Sequence, residues 1–323
     1  MKDKIEPSMS VILVTERYET IRKTIRHLRD QTARDRLEIV IVAPSGGRLD
    51  VEESELKDFC RYRLVEVSSI SSLPWARASG IREASAPLVA FAESHSYPDS
   101  GWAEALIEAH KGPWAAVGPS VGNANPTGLI SWSNLFLDYG RWVEADEAQV
   151  MDDIPGRNSS YKRTLLLKYG SDLGTMLEAE IVLHLDLQAR GYKLYLEPRA
   201  KTYHLNVSLP SSWIRERFSA GHWYAAARAQ SWPWPRRFLY IGGAPLIPLV
   251  RFWRMLGDMK RCQREHALLP RILPVLLVSL VISAVGEMIG YAFGAGDAMR
   301  KSSDLELYKV RHLTERDRRA VAG

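Results

Sequence analysis

Short apolar segments alternate with helix-patterned segments in the first third of this 323-residue chain, and this alternation constrains the fold most. The predicted strands are residues 10–14, 37–42, 63–67 and 88–92, and the predicted helices are residues 18–29, 75–84 and 101–110. Strands that read as nearly continuous apolar runs are buried on both faces, and helical connections make neighbouring strands parallel. The sequence therefore predicts an α/β fold with a mostly parallel sheet flanked by helices.

Polar side chains follow three of these predicted strands, at residues 15–17, 43–47 and 93–95. Ligands of such sheets bind beyond the carboxyl ends of the strands, so all three segments are expected at the binding edge. Glu93 and His95 stand one residue apart there, directly after a buried strand. An acid and an imidazole in this position can hold a divalent metal, or they can belong to an ordinary polar loop.

The remainder of the chain is less regular. Residues 156–170 are predicted as a loop entering a helix, residues 178–191 as a helix ended by Gly191, and residues 192–198 as an edge strand stopped by Pro198. A short strand is expected around Val117. Because the composition changes at about residue 235, we expect a first domain over residues 1–230 and a hydrophobic helical region over residues 231–323.

The charge of the chain is only mildly basic, with a formal value of +5 and a pI near 9.1, which gives no support for a nucleic-acid partner. The excess of basic residues is concentrated beside apolar stretches. These residues are Arg236, Arg237, Arg251, Arg254, Lys260, Arg261, Arg264 and Arg271. A basic cluster of this kind favours the anionic surface of a membrane. The two cysteines, Cys60 and Cys262, are too far apart for a metal motif and too few for a disulfide framework, which fits a reducing cytosol. The N-terminus has no signal-peptide pattern, so the first domain is expected in the cytoplasm.

Residues 272–296 carry one charge, Glu287, and are long enough to span a bilayer. A buried helix is the alternative. Two spans would place the basic residues 251–271 on the far side of the membrane, and one span would place the basic tail there, both against the positive-inside tendency. An interfacial helix with a re-entrant or hairpin segment broken near Gly286 and Gly290 would avoid both arrangements, and the sequence leaves these possibilities open.

The order of several motifs resembles the family 2 inverting glycosyltransferases of the GT-A fold over roughly residues 8–225. These motifs are, in chain order, VTERY, LEIVIV, ARASGI, PLVAFAESH, GRNSSYKR and EAEIVLHLDLQARGYKL. The resemblance implies a Rossmann-like GT-A sheet, a nucleotide-sugar donor, an acceptor and a divalent metal, Mn²⁺ or Mg²⁺.

The same resemblance assigns candidate site residues. It places Thr15 and Glu16 near the nucleobase, Arg77 near the diphosphate and Asn158 near the sugar or the acceptor. Glu93, Ser94 and His95 stand where the family has its metal-binding Asp-x-Asp, and His204 matches a further metal ligand. Because imidazole suits Mn²⁺ better than Mg²⁺, the substitution favours Mn²⁺. The family also has acidic residues after its second strand, where this chain has Ala43, Pro44, Ser45 and Gly46, which leaves the nucleotide open.

Counting back from Gly191 places Ala179 and Glu180 over the family's Glu-Asp pair, so Glu180 is the predicted general base and Glu178 its nearby rival. An inverting transfer needs a carboxylate that takes the acceptor's proton as its oxygen attacks. Two acids in the first turn of a helix, favoured by the helix dipole, are the alternative interpretation.

These features together predict a membrane-associated glycosyltransferase that acts on a lipid-linked or other glycan acceptor, as in polysaccharide biosynthesis. A soluble acceptor is also compatible with the sequence. Residues 211–228 are amphipathic and could border the acceptor or pack internally. Two other functions remain: transfer of a nucleotidyl group, which the lack of a Gly-rich phosphate loop disfavours, and a catalytically impaired relative that serves as a binding or scaffold protein.

Overall fold

The computed structural model describes residues 6–46, 49–178, 180–230, 232–261 and 268–322. The side chains of residues 258–261, 299 and 322 are not described either. Several residues named above therefore lie outside the described part, namely Gly47, Ala179, Cys262 and Arg264, together with the side chains of Lys260 and Arg261. The chain forms two compact units, residues 1–122 with 144–203 and residues 123–143 with 204–323. The predicted domain boundary at residue 230 stays a prediction.

Nine strands of the described residues form one sheet. They are β1 (Met9–Val14), β2 (Leu37–Pro44), β3 (Arg61–Val67), β4 (Leu88–Phe91), β5 (Ser96–Pro98), β6 (Trp114–Asn123), β7 (Gln149–Met151), β8 (Ser160–Lys162) and β9 (Lys193–His204). The strand order is β3-β2-β1-β4-β8-β6-β9-β5, and β7 pairs with β9. Strands β3, β2, β1 and β4 are parallel neighbours, whereas β8 is antiparallel to β4 and to β6. Strands β6 and β9 end at Asn123 and His204.

Thirteen α-helices occur in the described residues. They are α1 (Tyr18–Arg29), α2 (Leu73–Glu83), α3 (Trp102–Ala109), α4 (Leu129–Tyr139), α5 (Arg163–Leu167), α6 (Leu173–Glu178), α7 (Glu180–Ala189), α8 (Pro210–Arg228), α9 (Trp234–Gly243), α10 (Ile247–Arg261), α11 (Leu269–Phe293), α12 (Ala298–Leu307) and α13 (Glu315–Ala322). Helices α4 and α8–α13 belong to the second unit.

The first strand shows why its sequence is a continuous apolar run. Its side chains alternate between the two faces of the sheet, as the pleat requires. Val11 and Leu13 join a core with α1 and α3, whereas Ile12 and Val14 join a core with α2 and α7. All four are buried, so helices cover both faces of β1. The α/β fold with flanking helices, predicted from the strand and helix pattern, is confirmed.

The prediction of an edge strand stopped by Pro198 is wrong. Strand β9 continues to His204 and lies between β6 and β5. The backbone N–H of Arg199 donates to Oε1 of Glu197 at 3.1 Å, and the Arg199 guanidinium also binds this carboxylate. The Glu197 side chain therefore accepts the backbone N–H of Arg199, which follows Pro198, and the strand continues past the proline. Strand β6, expected as a short strand near Val117, has ten residues.

Helix α11 of the second unit carries the hydrophobic segment. Among the residues that the structure describes, α11 is the one helix that is long and apolar enough to cross a membrane, with a mean hydropathy of 2.3 over its most apolar window. Of that window, 44% is buried within the protein. Length and composition therefore permit a membrane span, while a large part of the helix has protein neighbours.

Candidate active site

Glu93 follows strand β4 and is held by groups from several elements. Its Oε2 accepts hydrogen bonds from Ser96 Oγ at 2.9 Å and from Asn158 Nδ2 at 3.2 Å. Its backbone carbonyl accepts from Thr24 Oγ1, on α1, at 2.8 Å. Its Oε1 lies 3.7 Å from Nε2 of His95. Both side chains are buried, so the acid and the imidazole at the end of β4 form a fixed pair and not a solvated loop.

His204, the last residue of β9, completes a group of three possible metal ligands. Glu93, His95 and His204 each offer a ligand atom, and these atoms lie within 4.8 Å of one another. Nδ1 of His204 lies 2.9 Å from Oδ1 of Asn206, whose Nδ2 donates to Asn123 Oδ1 at 3.1 Å. Because the Asn206 amide is oriented by that donation, its oxygen accepts the Nδ1 proton of His204. Nε2 of His204 then carries the lone pair that a metal needs.

The chemistry of this group fits a divalent metal. It supplies one carboxylate oxygen and two imidazole nitrogens, all of them buried. Mg²⁺ prefers oxygen ligands alone, whereas Mn²⁺ and other transition metals accept imidazole. One carboxylate also cancels one of the two charges of such an ion, which leaves a net positive charge for an anionic ligand.

Asn158 joins the turn before β8 to this group. Its φ of +61° lies in the left-handed region, which asparagine adopts more readily than most residues. Its N–H donates to Phe91 O at 2.8 Å, and its carbonyl accepts from Trp102 Nε1 at 3.2 Å. The neighbouring Arg157 places its Nε 3.3 Å from Glu93 Oε1. Sequence reasoning missed Arg157, because nothing in the motif shows which side chain of the turn faces the acid.

Thr15 and Glu16 lie where β1 passes into α1, at the same sheet edge as Glu93. Thr15 is buried, and its Oγ1 accepts the N–H of Arg17 at 3.1 Å and lies 2.6 Å from Thr20 Oγ1. Glu16 is exposed. The structure thus brings both residues to the expected edge. The Thr15 hydroxyl, however, makes its hydrogen bonds to neighbouring residues of the turn.

Arg77 and Glu180 meet beside the sheet. Nη1 of the buried Arg77, on α2, lies 3.4 Å from Oε1 of Glu180, the first residue of α7. The same guanidinium lies over the ring of Phe91 at 5.6 Å from its centroid. Glu178 ends α6 and accepts a hydrogen bond from Trp75 Nε1 at 3.1 Å. Glu178 and Glu180, the two candidate bases, therefore contact different residues of helix α2.

Three polar side chains that sequence reasoning missed, Asp153, His184 and Tyr161, form a hydrogen-bonded chain that includes the helix of Glu180. His184 follows Glu180 by one helical turn, and its Nε2 lies 2.9 Å from the Tyr161 hydroxyl. Its Nδ1 lies 2.5 Å from Oδ1 of Asp153. Burial, and then the charge of Glu180, raise the pKa of Tyr161 well above its usual range. The side chains bind β8 and the segment before it to α7, which fixes the helix that carries Glu180.

A known protein family matches the first part of the chain. Residues 10–170 match the family described as Glycosyl transferase family 2. The match supports a family 2 glycosyltransferase. A member of this family uses a nucleotide-sugar donor and an acceptor, and the α/β sheet is consistent with the GT-A fold. The matched region includes Thr15, Arg77, Glu93, His95 and Asn158, and it ends before Glu180 and His204. No curated protein matches the chain.

Proposed function

We propose that the protein is an inverting, metal-assisted glycosyltransferase that moves a sugar from a nucleotide-sugar donor to a glycan or lipid-linked acceptor. The observation that carries the proposal is the buried group of Glu93, His95 and His204 at the binding edge of a sheet whose sequence matches family 2. A metal bound there would supply positive charge that stabilises the departing diphosphate.

Glu180 acts as the general base in this proposal. Its carboxylate takes the proton of the acceptor hydroxyl while the acceptor oxygen forms its bond to the anomeric carbon. The bond between that carbon and the diphosphate oxygen breaks at the same time, and its electron pair leaves with the nucleoside diphosphate. Arg77 orients the Glu180 carboxylate through the 3.4 Å contact and offers guanidinium N–H groups to phosphate oxygens.

The donor would lie along the carboxyl edge of the sheet. Thr15 and Glu16 border the nucleoside end, and Asn158 holds Glu93 in place beside the diphosphate. The segment from Ala43 to Gly46 offers no acidic side chain for a uracil ring, and Ser45 N is engaged by Val67 O at 2.8 Å. The nucleotide of the donor is therefore left open, and UDP and GDP are both candidates.

The composition of the second unit supports association with a membrane. Helix α11 meets the requirements for a membrane span in length and hydropathy, and arginines lie nearby in the sequence. An enzyme attached to the cytoplasmic face of a membrane would meet acceptors that are linked to polyprenyl-type lipids, and this is the class of acceptor that we propose.

Calorimetric titration with UDP and GDP, with and without Mn²⁺, tests the donor site. We expect one of the two nucleotides to bind in a Mn²⁺-dependent manner, and we expect His95→Ala to abolish this dependence. His27→Ala is the matched control, because His27 stacks on Tyr97 and is not a member of the ligand group. Absence of binding to both nucleotides under every metal condition would overturn the proposal and favour a scaffold function.

A further inference from the structure

Helices α8 and α11 run side by side in the same direction through the second unit. Trp213 Nε1 donates to Ser279 Oγ at 2.9 Å near the start of α8, and His222 Nε2 lies 2.7 Å from Gly294 O one residue past α11. Between these points Ser283 Oγ donates to Arg217 O at 3.2 Å. The position of α11 is therefore fixed by α8 over most of the length of that helix.

The chain returns along the same helix after α11. Helix α12 packs against α8, and the carbonyl of His312 then accepts the N–H groups of Ser208 and Leu209, at 3.2 and 3.0 Å. Thr314 N also donates to Ser208 Oγ at 3.0 Å. The segment after α12 thus lies beside the start of α8. If α11 crossed a bilayer, α12 would have to cross back.

The charges on α8 and α12 oppose such a crossing. Exposed Arg215 borders Val281 and Ile282, near the middle of α11. Helix α12 carries exposed Arg300 and Lys301. Each charge at the centre of a bilayer costs about 3 kcal/mol or more.

Two ion pairs formed by residues of α8 add to this cost. Glu216 pairs with Lys309 at 3.2 Å, and Arg217 pairs with Asp138 at 2.8 Å. Since α8 fixes the position of α11, placing α11 across hydrocarbon would bring these groups into it as well. The structure therefore disfavours a transmembrane α11.

Two other helices present apolar side chains to solvent. The exposed positions lie three or four residues apart, or adjacent, on α9 and α10, as on a helix face that packs against a partner. Exposed fractions reach 71% for Leu239 and 66% for Trp253. We call these residues the apolar face: Trp234, Phe238, Leu239, Leu249, Val250 and Trp253.

Arginines accompany the apolar face. Exposed Arg236 lies over the ring of Trp232 at 4.1 Å from its centroid, and exposed Arg254 follows Trp253 directly. The sequence of α9 contains two arginines and no acidic residue. Tryptophan favours the boundary between lipid and water, and arginine favours anionic headgroups. This charge complementarity identifies an anionic lipid surface as the partner of the face.

We propose that the second unit docks on one leaflet of an anionic bilayer through the apolar face, with α11 packed along the protein and not across the membrane. This inference refines the membrane association in the proposed function and does not depend on the transfer reaction. All the described residues of the second unit then stay on one side of the membrane. The apolar side chains enter the headgroup region and the arginines contact the lipid phosphates.

Vesicle flotation of the full chain tests the docking face. We expect binding to vesicles of phosphatidylcholine with phosphatidylglycerol, little binding to phosphatidylcholine alone, and weaker binding at high salt. The double variant Leu249→Glu/Trp253→Glu should weaken binding by about tenfold or more, which corresponds to about 1.4 kcal/mol. Leu64→Glu is the matched control, because Leu64 is an exposed leucine of the first unit, with 43% of its surface exposed.

Three results would overturn the docking proposal. They are unchanged flotation of the double variant, equal binding to neutral vesicles, and conversion of a dimer to a monomer by the double variant with vesicle binding intact. The last result would assign the face to a second copy of the chain. Titration with UDP and GDP on the same preparations reports the donor site separately, so failure of docking is distinguishable from failure of the proposed function.

Cysteine labelling of sealed membrane vesicles tests whether α11 crosses. In a Cys60→Ser/Cys262→Ser background, Ser54→Cys marks the first unit, Arg300→Cys follows α11 and Arg316→Cys marks the tail; all three positions are exposed. We expect an impermeant maleimide to label all three from the same side. Labelling of Arg300→Cys or Arg316→Cys from the side opposite to Ser54→Cys would establish a span and overturn the inference.

Discussion

Nη1 of Arg77 lies 3.4 Å from Oε1 of Glu180, although 103 positions separate the two residues in the sequence. The contact brings together α2 and the start of α7, the two elements that the family resemblance associates with the diphosphate and with the base. Glu178, the rival acid, instead accepts a hydrogen bond from Trp75. This difference in partners gives the two acids separately testable roles.

Glu180→Gln should lower the rate of sugar transfer about a hundredfold to ten-thousandfold, because the amide cannot accept the acceptor's proton. Nucleotide binding should persist, since the variant keeps the shape of the side chain. The measurement is release of nucleoside diphosphate from the donor, together with calorimetric titration of the nucleotide. Glu178→Gln is the control and should retain near-normal turnover; the opposite pattern would identify Glu178 as the base.

His95→Asp should shift the metal preference toward Mg²⁺. The variant replaces a neutral nitrogen ligand with a carboxylate, and Mg²⁺ prefers oxygen ligands. The measurement is the ratio of nucleotide affinities in Mg²⁺ and in Mn²⁺. Ser94→Asp adds the same charge one residue earlier and should leave that ratio unchanged. An equal shift in both variants would show that added charge, and not the ligand at position 95, sets the preference.

The sequence predicted the part of the fold that depends on local pattern. Continuous apolar runs such as Val11 to Val14 indicated strands with helices on both faces, and both cores are present. Pro198 misled the prediction of β9, because the Glu197 carboxylate that binds Arg199 N is a tertiary compensation which the local pattern does not contain.

For the site, the sequence supplied candidates but not contacts. Glu93, His95 and His204 were named as ligands, and the structure brings them together. Arg157, Asn206 and His184 were missed, because their importance lies in which groups they touch across the fold. Spacing along the chain carries no information on such contacts. The roles of all the site residues stay predictions.

Asn206→Leu should weaken Mn²⁺ binding about tenfold to a hundredfold. The Asn206 oxygen accepts the Nδ1 proton of His204. A hydrogen bond to the ring nitrogen that does not bind the metal fixes the orientation and tautomer of a ligating histidine. Mn²⁺ affinity is measured by calorimetry in the absence of nucleotide. Asn206→Asp keeps an oxygen acceptor and should retain most of the affinity. Loss of affinity in both variants to the same degree would instead indicate a general packing defect.

His110 should make the folded state less stable in mild acid. Burial, and then the charge of Lys162, lower its pKa from 6.5 to about 4, while Nε2 lies 2.9 Å from Ser160 Oγ. The unfolded chain takes up this proton below about pH 6.5 and the folded chain does not, so the free energy of unfolding falls as the pH drops from 6.5 toward 4. From pH 7.5 to 5.5 the loss amounts to about 1 kcal/mol.

Denaturant unfolding of wild type and His110→Asn at these two pH values measures that loss. The variant should be less stable at pH 7.5 but should lose less stability on acidification. Burial also lowers the pKa of His27 and His312, so part of the wild-type loss should remain in the variant. An identical pH dependence in the two proteins would contradict the assignment to His110.

Gly286→Ala should destabilise the second unit by about 3 kcal/mol. A Cβ at this position would lie 2.2 Å from the backbone carbonyl oxygen of Phe218, so α8 and α11 would have to move apart. Gly257→Ala, on α10, is the matched control, since a Cβ there meets nothing within 4 Å and alanine favours a helix by about 1 kcal/mol. Thermal or denaturant unfolding of both variants checks the difference. Equal stability of the two would mean that α11 is not held against α8 in solution, and the argument that α8 prevents α11 from crossing a membrane would fail with it.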